Sequence, residues 1–278
     1  MNKDSLGDRM KFYYENPPKT RLMRRNPIVI RIDGKAFHTF TRGFKRPFDN
    51  ILIKSMQETM KYLCENIQGC KIGYCQSDEI SLLLTDYDNI NTAAWFDYEV
   101  QKMCSIAASM ATLAFNKVFE KRVREWGWQQ GFPDKTSEWT PEIATLWFKY
   151  HDAIEKGAMF DARVFSIPKD EVCNCFIWRQ QDAVRNSIQM VGQANFSHKE
   201  LQGKSCNNIQ DMLMTQKNIN WNDFPSVQKR GSCCTKTGIS TVVDKKTGEN
   251  KKRITWEIDK EIPIFTQDRN YIDKWVFI

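Results

Sequence analysis

The 278-residue chain carries 41 Lys and Arg against 34 Asp and Glu, a formal net charge of +7, with 41% hydrophobic and 12% aromatic residues. That much apolar material builds a sizeable core and excludes a disordered chain or a disulfide-stapled miniprotein. No apolar run approaches the roughly 20 residues needed to span a bilayer, Met1 to Met10 lacks the apolar stretch of a signal peptide, and the nine cysteines include no C-x-x-C pair. The expected protein is cytoplasmic, without a membrane segment or a sulfur-ligated zinc.

Asn26-Pro27 precedes the β-branched run Ile28 to Ile32, which stops at Asp33-Gly34 and predicts a buried strand. Asp49-Asn50 reads as a helix cap, after which Leu52, Met56, Met60, Leu63 and Ile67 recur at helical steps up to Gly69. Lys71 to Cys75 and Ile80 to Thr85 read as a hairpin with the polar tip Gln76 to Glu79. Glu99 to about Glu125 carries a helical apolar stripe, residues 127–157 are expected to hold one more helix, and Ala162 to Ile167 reads as a strand. Beyond Phe196 the pattern assigns no element. Strand, helix, strand, strand, helix, strand is the order of a split β-α-β unit, an α+β fold of ferredoxin-like topology.

The positive charge is concentrated. Lys19 to Arg46 holds nine Lys and Arg against Asp33 alone, and Val227 to Arg253 holds eight against Asp244 and Glu249. Two basic segments on a near-neutral body point to an anionic partner, and Arg24, Arg25, Lys229 and Arg230 are the expected phosphate contacts of a bound RNA. The run Lys-Lys-Thr-Gly-Glu-Asn-Lys-Lys within the second segment reads as a hairpin tip.

In the split topology the end of the first strand lies beside the hairpin tip, so Asp33 is expected to meet Asp78 and Glu79. Carboxylates gathered at a sheet edge repel one another unless a cation lies between them, and hard oxygen donors suit Mg²⁺. Gly34 permits a sharp turn and the close approach of a phosphate, while Lys35, Lys45 and Arg46 supply charge for a triphosphate.

At these residues the sequence resembles the tRNA-His guanylyltransferase superfamily, whose enzymes extend RNA in the 3' to 5' direction. The matching stretches are Arg31 to His38, Phe44 to Asp49, Gly73 to Glu79, Phe160 to Val164 and Trp178 to Asp182, in family order. The resemblance implies a polymerase palm over residues 12–190, with 127–157 as an insertion, and a basic C-terminal extension over 191–278 carrying additional helices and strands. It implies two Mg²⁺ ions held by Asp33, Asp78 and the Gly34 carbonyl, with Glu79 completing the acidic cluster. Asp33, Gly34, Lys35, Ala36, Phe37, His38, Arg46, Asp49, Ser77, Asp78 and Lys102 would bind nucleotide. It further implies activation of a 5'-monophosphate end by ATP or GTP, tRNA as partner, and a homotetramer.

Three departures matter. Arg46 stands where the family has Lys, Tyr98 and Glu99 stand where it has a triphosphate-holding Arg pair, and Val184 to Val191 keeps only Asn186 of a stretch linked to choosing tRNA-His. The chain therefore resembles the bacterial or archaeal-type members, which repair 5'-truncated tRNA by template pairing, with Arg185 and Asn186 expected against RNA. The competing readings are a palm-type nucleotidyl cyclase and a non-catalytic RNA-binding module. Trp178 could stack on a base, but the expectation is a buried core residue.

Overall fold

The computed structural model describes residues 5–243 and 250–277. The chain enters through α1 (Ser5–Met10), forms β1 (Ile28–Gly34) and the single turn α2 (Phe37–Phe40), and continues into α3 (Asn50–Asn66). The hairpin β2 (Cys70–Gln76) and β3 (Glu79–Leu84) leads to α4 (Val100–Gln129), α5 (Pro141–Lys156) and β4 (Phe160–Ser166). Then come α6 (Lys169–Asn195), α7 (His198–Leu201), α8 (Cys206–Lys217), α9 (Ser226–Arg230), the long strands β5 (Ser232–Val243) and β6 (Asn250–Asp259), and α10 (Asn270–Asp273).

The strands form one sheet in the order β4-β1-β3-β2-β5-β6, antiparallel throughout. Its first four strands have the ferredoxin-like order expected from the sequence, and β5 and β6 continue the sheet beyond β2. Because side chains alternate along a strand, Ile28, Ile30 and Ile32 of β1 face the core built with α3 and α4, while Arg31 and Asp33 point to the opposite face. That second face is covered by α6 and the C-terminal segment, with Tyr74, Leu83, Phe176 and Phe265 buried between them.

Residues 127–157 hold the one further helix expected, α5, which returns against the end of α4, itself running a turn past the expected boundary. Stacking of Trp126 on Trp147, with ring centroids 6.3 Å apart, and of Phe132 on Trp147 at 4.7 Å ties the two together. α6 crosses the expected division at residue 190 without a break. The β5 and β6 strands were not legible in the sequence; of the hairpin tip expected at 245–252, residues 245–249 lie outside those described and 250–252 begin β6.

Candidate active site

The end of β1 and the β2–β3 turn meet as the topology requires. Asp33 lies opposite Glu79 on β3 and opposite Asp161 on β4. The Gly34 amide donates to the Asp78 carbonyl at 3.1 Å, which fixes the hairpin tip against the strand end. Ser77 takes the left-handed conformation (φ 48°) that closes the tight turn, and its hydroxyl donates to Asp78 Oδ1 at 3.0 Å. Burial, and to a smaller extent the charge of Asp33, raises the Asp78 carboxyl above its ordinary value.

Glu79 does not complete an acidic cluster. It is the first strand residue after the turn, and Arg179 of α6 donates from Nε to its Oε1 at 2.6 Å, with both side chains only 8% exposed. Arg179 also reaches Asp182 at 2.7 Å. Arg163, placed beside Asp33 by β4, lies 3.8 Å from Asp33 and 3.4 Å from Asp161. Neither arginine was assigned a role from sequence, although both lie in the quoted motifs.

Asp33, Gly34, Ala36, Phe37, His38, Ser77 and Asp78 line a cavity of about 570 Å³, a size that suits a nucleotide. Gly34 is required by close approach, since a Cβ there would lie 2.2 Å from the Phe37 ring. Ala36 turns left-handed (φ 53°) into α2, which buries Phe37 and leaves His38 exposed with its Nε2 3.1 Å from the Thr39 hydroxyl. Arg42, Lys45 and Arg46 supply the positive wall, and Met190 and Gln193 of α6 close the cavity; of these, Arg42, Met190 and Gln193 were not anticipated.

Other expected nucleotide contacts lie elsewhere or are already engaged. Asp49 lines the cavity, but its carboxylate caps α3 by accepting from the amides of Ile51 and Leu52, each at 3.0 Å. It also accepts from the Lys45 amide at 3.1 Å and the Tyr150 hydroxyl at 2.6 Å. Lys35 is exposed outside the cavity lining, and its amide donates to the Met159 carbonyl at 2.8 Å. Lys102 lies in the first turn of α4, whereas Thr112 and Asn116 of that helix are the residues that meet the chain beside Gly34. That offset is about 15 Å along the axis, and the Lys102 ammonium sits over the Phe96 ring at 4.7 Å. Tyr98 is buried, its phenol pushed up by burial and the nearby Asp86 charge.

Of the expected RNA contacts, Arg24 binds the buried Asp86 through Nε at 2.5 Å, and Arg25 donates to the carbonyls of Asp86, Asn89 and Ile90. Both lock the segment after β3. Arg185 is 61% exposed and pairs with Asp182. Asn186 is half-buried beside Phe48 and Leu52. Lys229 donates to the Asn222 carbonyl, and Arg230 to the Ile262 carbonyl at 3.0 Å and the Ser226 hydroxyl at 2.9 Å. Trp178 corrects the expectation of a core residue, being 52% exposed.

Among the described residues, no three His, Cys, Asp or Glu side chains gather as a metal centre. The oxygen donors available at the β1 end are the carboxylates of Asp33 and Asp78 and the backbone carbonyl of Gly34, all three residues lining the cavity. Few protein ligands, all hard oxygens, fit Mg²⁺, which retains several waters. The raised Asp78 carboxyl fits the same cation, whose charge would offset the repulsion from Asp33.

A family model described as tRNAHis guanylyltransferase (Thg1) matches residues 7–168. A bacterial tRNA(His) guanylyltransferase-like protein solved in complex with ATP is 44% identical, with a TM-score of 0.77, covering 99% of this chain and 100% of its own. One solved with GTP is 40% identical, with a TM-score of 0.73 over the same shares. The probable tRNA(His) guanylyltransferase of Dictyostelium discoideum is 26% identical over 245 residues, 83% of each chain.

Proposed function

The chain belongs to the tRNA(His) guanylyltransferase family of nucleotidyltransferases, and from that premise we propose that it adds nucleotides in the 3' to 5' direction to the 5' end of tRNA, repairing truncated acceptor ends by template pairing. One observation carries the reading: Asp33 and Asp78 converge at a nucleotide-sized cavity whose other wall holds Arg42, Lys45 and Arg46.

In the reaction, a 5'-phosphate oxygen of the RNA attacks the α-phosphorus of ATP or GTP and releases pyrophosphate, leaving an adenylylated or guanylylated end. The 3'-hydroxyl of an incoming nucleoside triphosphate then attacks the RNA 5'-phosphorus and releases AMP or GMP. Asp33, Asp78 and the Gly34 carbonyl would hold two Mg²⁺ ions, which when bound lower the pKa of an attacking hydroxyl and neutralise a departing phosphate. The residues themselves bind and orient. The bare Cα of Gly34 opens the loop backbone to phosphates, Arg46 and Lys45 oppose triphosphate charge, and Ser77 fixes the Asp78 carboxylate. Glu79 is a positioning residue, holding the start of β3 to α6 through Arg179.

Base pairing as the source of selection is supported by the segment after Asp182. Ser187 is buried and accepts from the Trp221 indole at 3.0 Å, and Val184 packs into the cluster around Ile188 and Leu213, so neither offers a polar edge to an anticodon base. A homotetramer is part of the proposal and is checked by light scattering, where a monomer with full activity at the same concentration removes it. The decisive experiment incubates the protein with labelled GTP, ATP, Mg²⁺ and several 5'-truncated tRNAs and reads the products on a sequencing gel. Additions matching the opposing template nucleotide are expected. Strict dependence on one anticodon defeats the repair reading, and cyclic product without RNA replaces it with a cyclase.

A further inference from the structure

A second surface adjoins the acidic strand end on the side away from the nucleotide cavity. β4 is an edge strand, and its Asp161 and Arg163 are exposed on the face of the sheet that carries α6. Trp178 of α6 stands over this face, 52% exposed, with the Arg179 guanidinium 4.5 Å and the Arg31 guanidinium 5.5 Å from its ring centroid. Arg31 pairs in register with Arg163, which is 50% exposed. These two cations are therefore cross-strand neighbours, Arg163 on the edge strand and Arg31 on the strand beside it. Three carboxylates share this face: Asp33 and Asp161 both lie against Arg163, at 3.8 and 3.4 Å, and Glu79 is bound to Arg179, while the Arg31 Nε is buried without a hydrogen-bond partner.

Arg31 and Asp33 lie two residues apart on the same face of β1, about 7 Å along the strand. None of Arg31, Arg163 and Trp178 lines the nucleotide cavity. We infer that Trp178, with Arg31 and Arg163, is a stacking site for a base of the RNA strand entering the active site, its flanking phosphate set against the two arginines. An aromatic face that is half-exposed and bordered by guanidinium groups is what an unpaired base and its phosphate require. A free nucleoside triphosphate is the weaker occupant, because the cavity beyond Asp33 already provides the cationic wall for it. The inference rests on the reading that the chain acts on an RNA 5' end.

The test measures binding of a 3'-fluorescein-labelled, 5'-truncated tRNA by anisotropy, without added triphosphate, for Trp178→Phe, Trp178→Leu and Trp178→Ala. ATP affinity by calorimetry and thermal unfolding are read in parallel. Trp178→Phe should stay within about threefold of wild type. Trp178→Leu, which keeps the packing on Arg179 without an aromatic face, should bind RNA about tenfold more weakly, the size of one base–aromatic stack, with ATP affinity unchanged. Trp178→Ala should match Trp178→Leu wherever it folds. The slope of affinity against salt should be the same in all, since no phosphate contact is removed. Equal RNA affinity in Trp178→Leu and wild type overturns the stacking site while leaving the proposed function standing, as does a parallel loss of RNA and ATP binding. A wild-type protein that binds ATP but no RNA overturns both.

Discussion

Replacing Arg179 by Met separates a structural from a solvent-screened role for the Glu79 ion pair. Were the pair on the surface, its loss would cost at most about 1 kcal/mol. Here the Nε–Oε1 distance is 2.6 Å and each side chain is 8% exposed. With Arg179 gone, Glu79 keeps only the Ser81 hydroxyl at 3.5 Å, whereas Asp182 still has Arg185. Removing one partner of a buried pair leaves an uncompensated charge and costs about 3 to 5 kcal/mol. In a protein of this size that corresponds to a Tm drop on the order of 10 °C. Urea unfolding followed by circular dichroism at neutral pH should show this loss for Arg179→Met. Combining it with Glu79→Gln should recover part of it, because the double variant buries no unpaired charge. A loss under about 1 kcal/mol, or strict additivity of the two changes, would refute the assignment of Glu79 to the scaffold.

Asp33→Ala and Asp78→Ala should each reduce nucleotide addition to below about a tenth of wild type with RNA affinity retained, because each removes a carboxylate placed where charge develops; faster addition by either variant argues against the shared site. Arg46→Ala should slow reaction on 5'-monophosphate tRNA more than on 5'-triphosphate tRNA, since only the former needs activation, and equal slowing in single-turnover assays would assign Arg46 to general binding. Gly34→Ala drives a methyl group to 2.2 Å from Phe37, whose ring packs on Phe40, Phe115 and Phe160. It should cost about 1 to 3 kcal/mol and weaken ATP binding in calorimetry, and wild-type affinity would show that the loop tolerates the side chain. Asp49→Ala removes a helix cap and leaves the buried Tyr150 hydroxyl without its acceptor, an expected loss of about 2 to 4 kcal/mol by urea unfolding; less than 1 would mean the loop re-forms these bonds.

What the sequence made legible was local. β1, α3, the β2–β3 hairpin and α4 follow from periodicities that three or four neighbouring residues impose on one another, and the meeting of Asp33 with Asp78 follows from their order. Arg24, Arg25 and Arg179 were not legible because they hold partners far along the chain, 100 residues away for Arg179 and Glu79. A cation destined for a buried carboxylate looks the same in sequence as one destined for a phosphate. Asp78 and Glu79 are adjacent, yet one sits in the turn and the other on the strand, where alternation sends it toward α6. Trp178 looked like core because helix periodicity does not reveal that the underlying strand is an edge. The β5–β6 ladder carries Lys252, Arg253 and Glu257 among its apolar residues, which blurs the two-residue alternation that would announce a strand.

The Asp49 carboxylate joins three parts of the chain with unrelated histories in the sequence: the loop at Lys45, the start of α3, and Tyr150 on α5. The segment over residues 130–156 that carries α5 is therefore not a detachable ornament. An engineer who trims it would also remove the Tyr150 hydroxyl from the carboxylate that fastens the Lys45 loop to the start of α3. Conversely, Tyr150 reaches the cavity only through Asp49, so α5 offers a handle on the Lys45 loop from a residue outside the cavity lining.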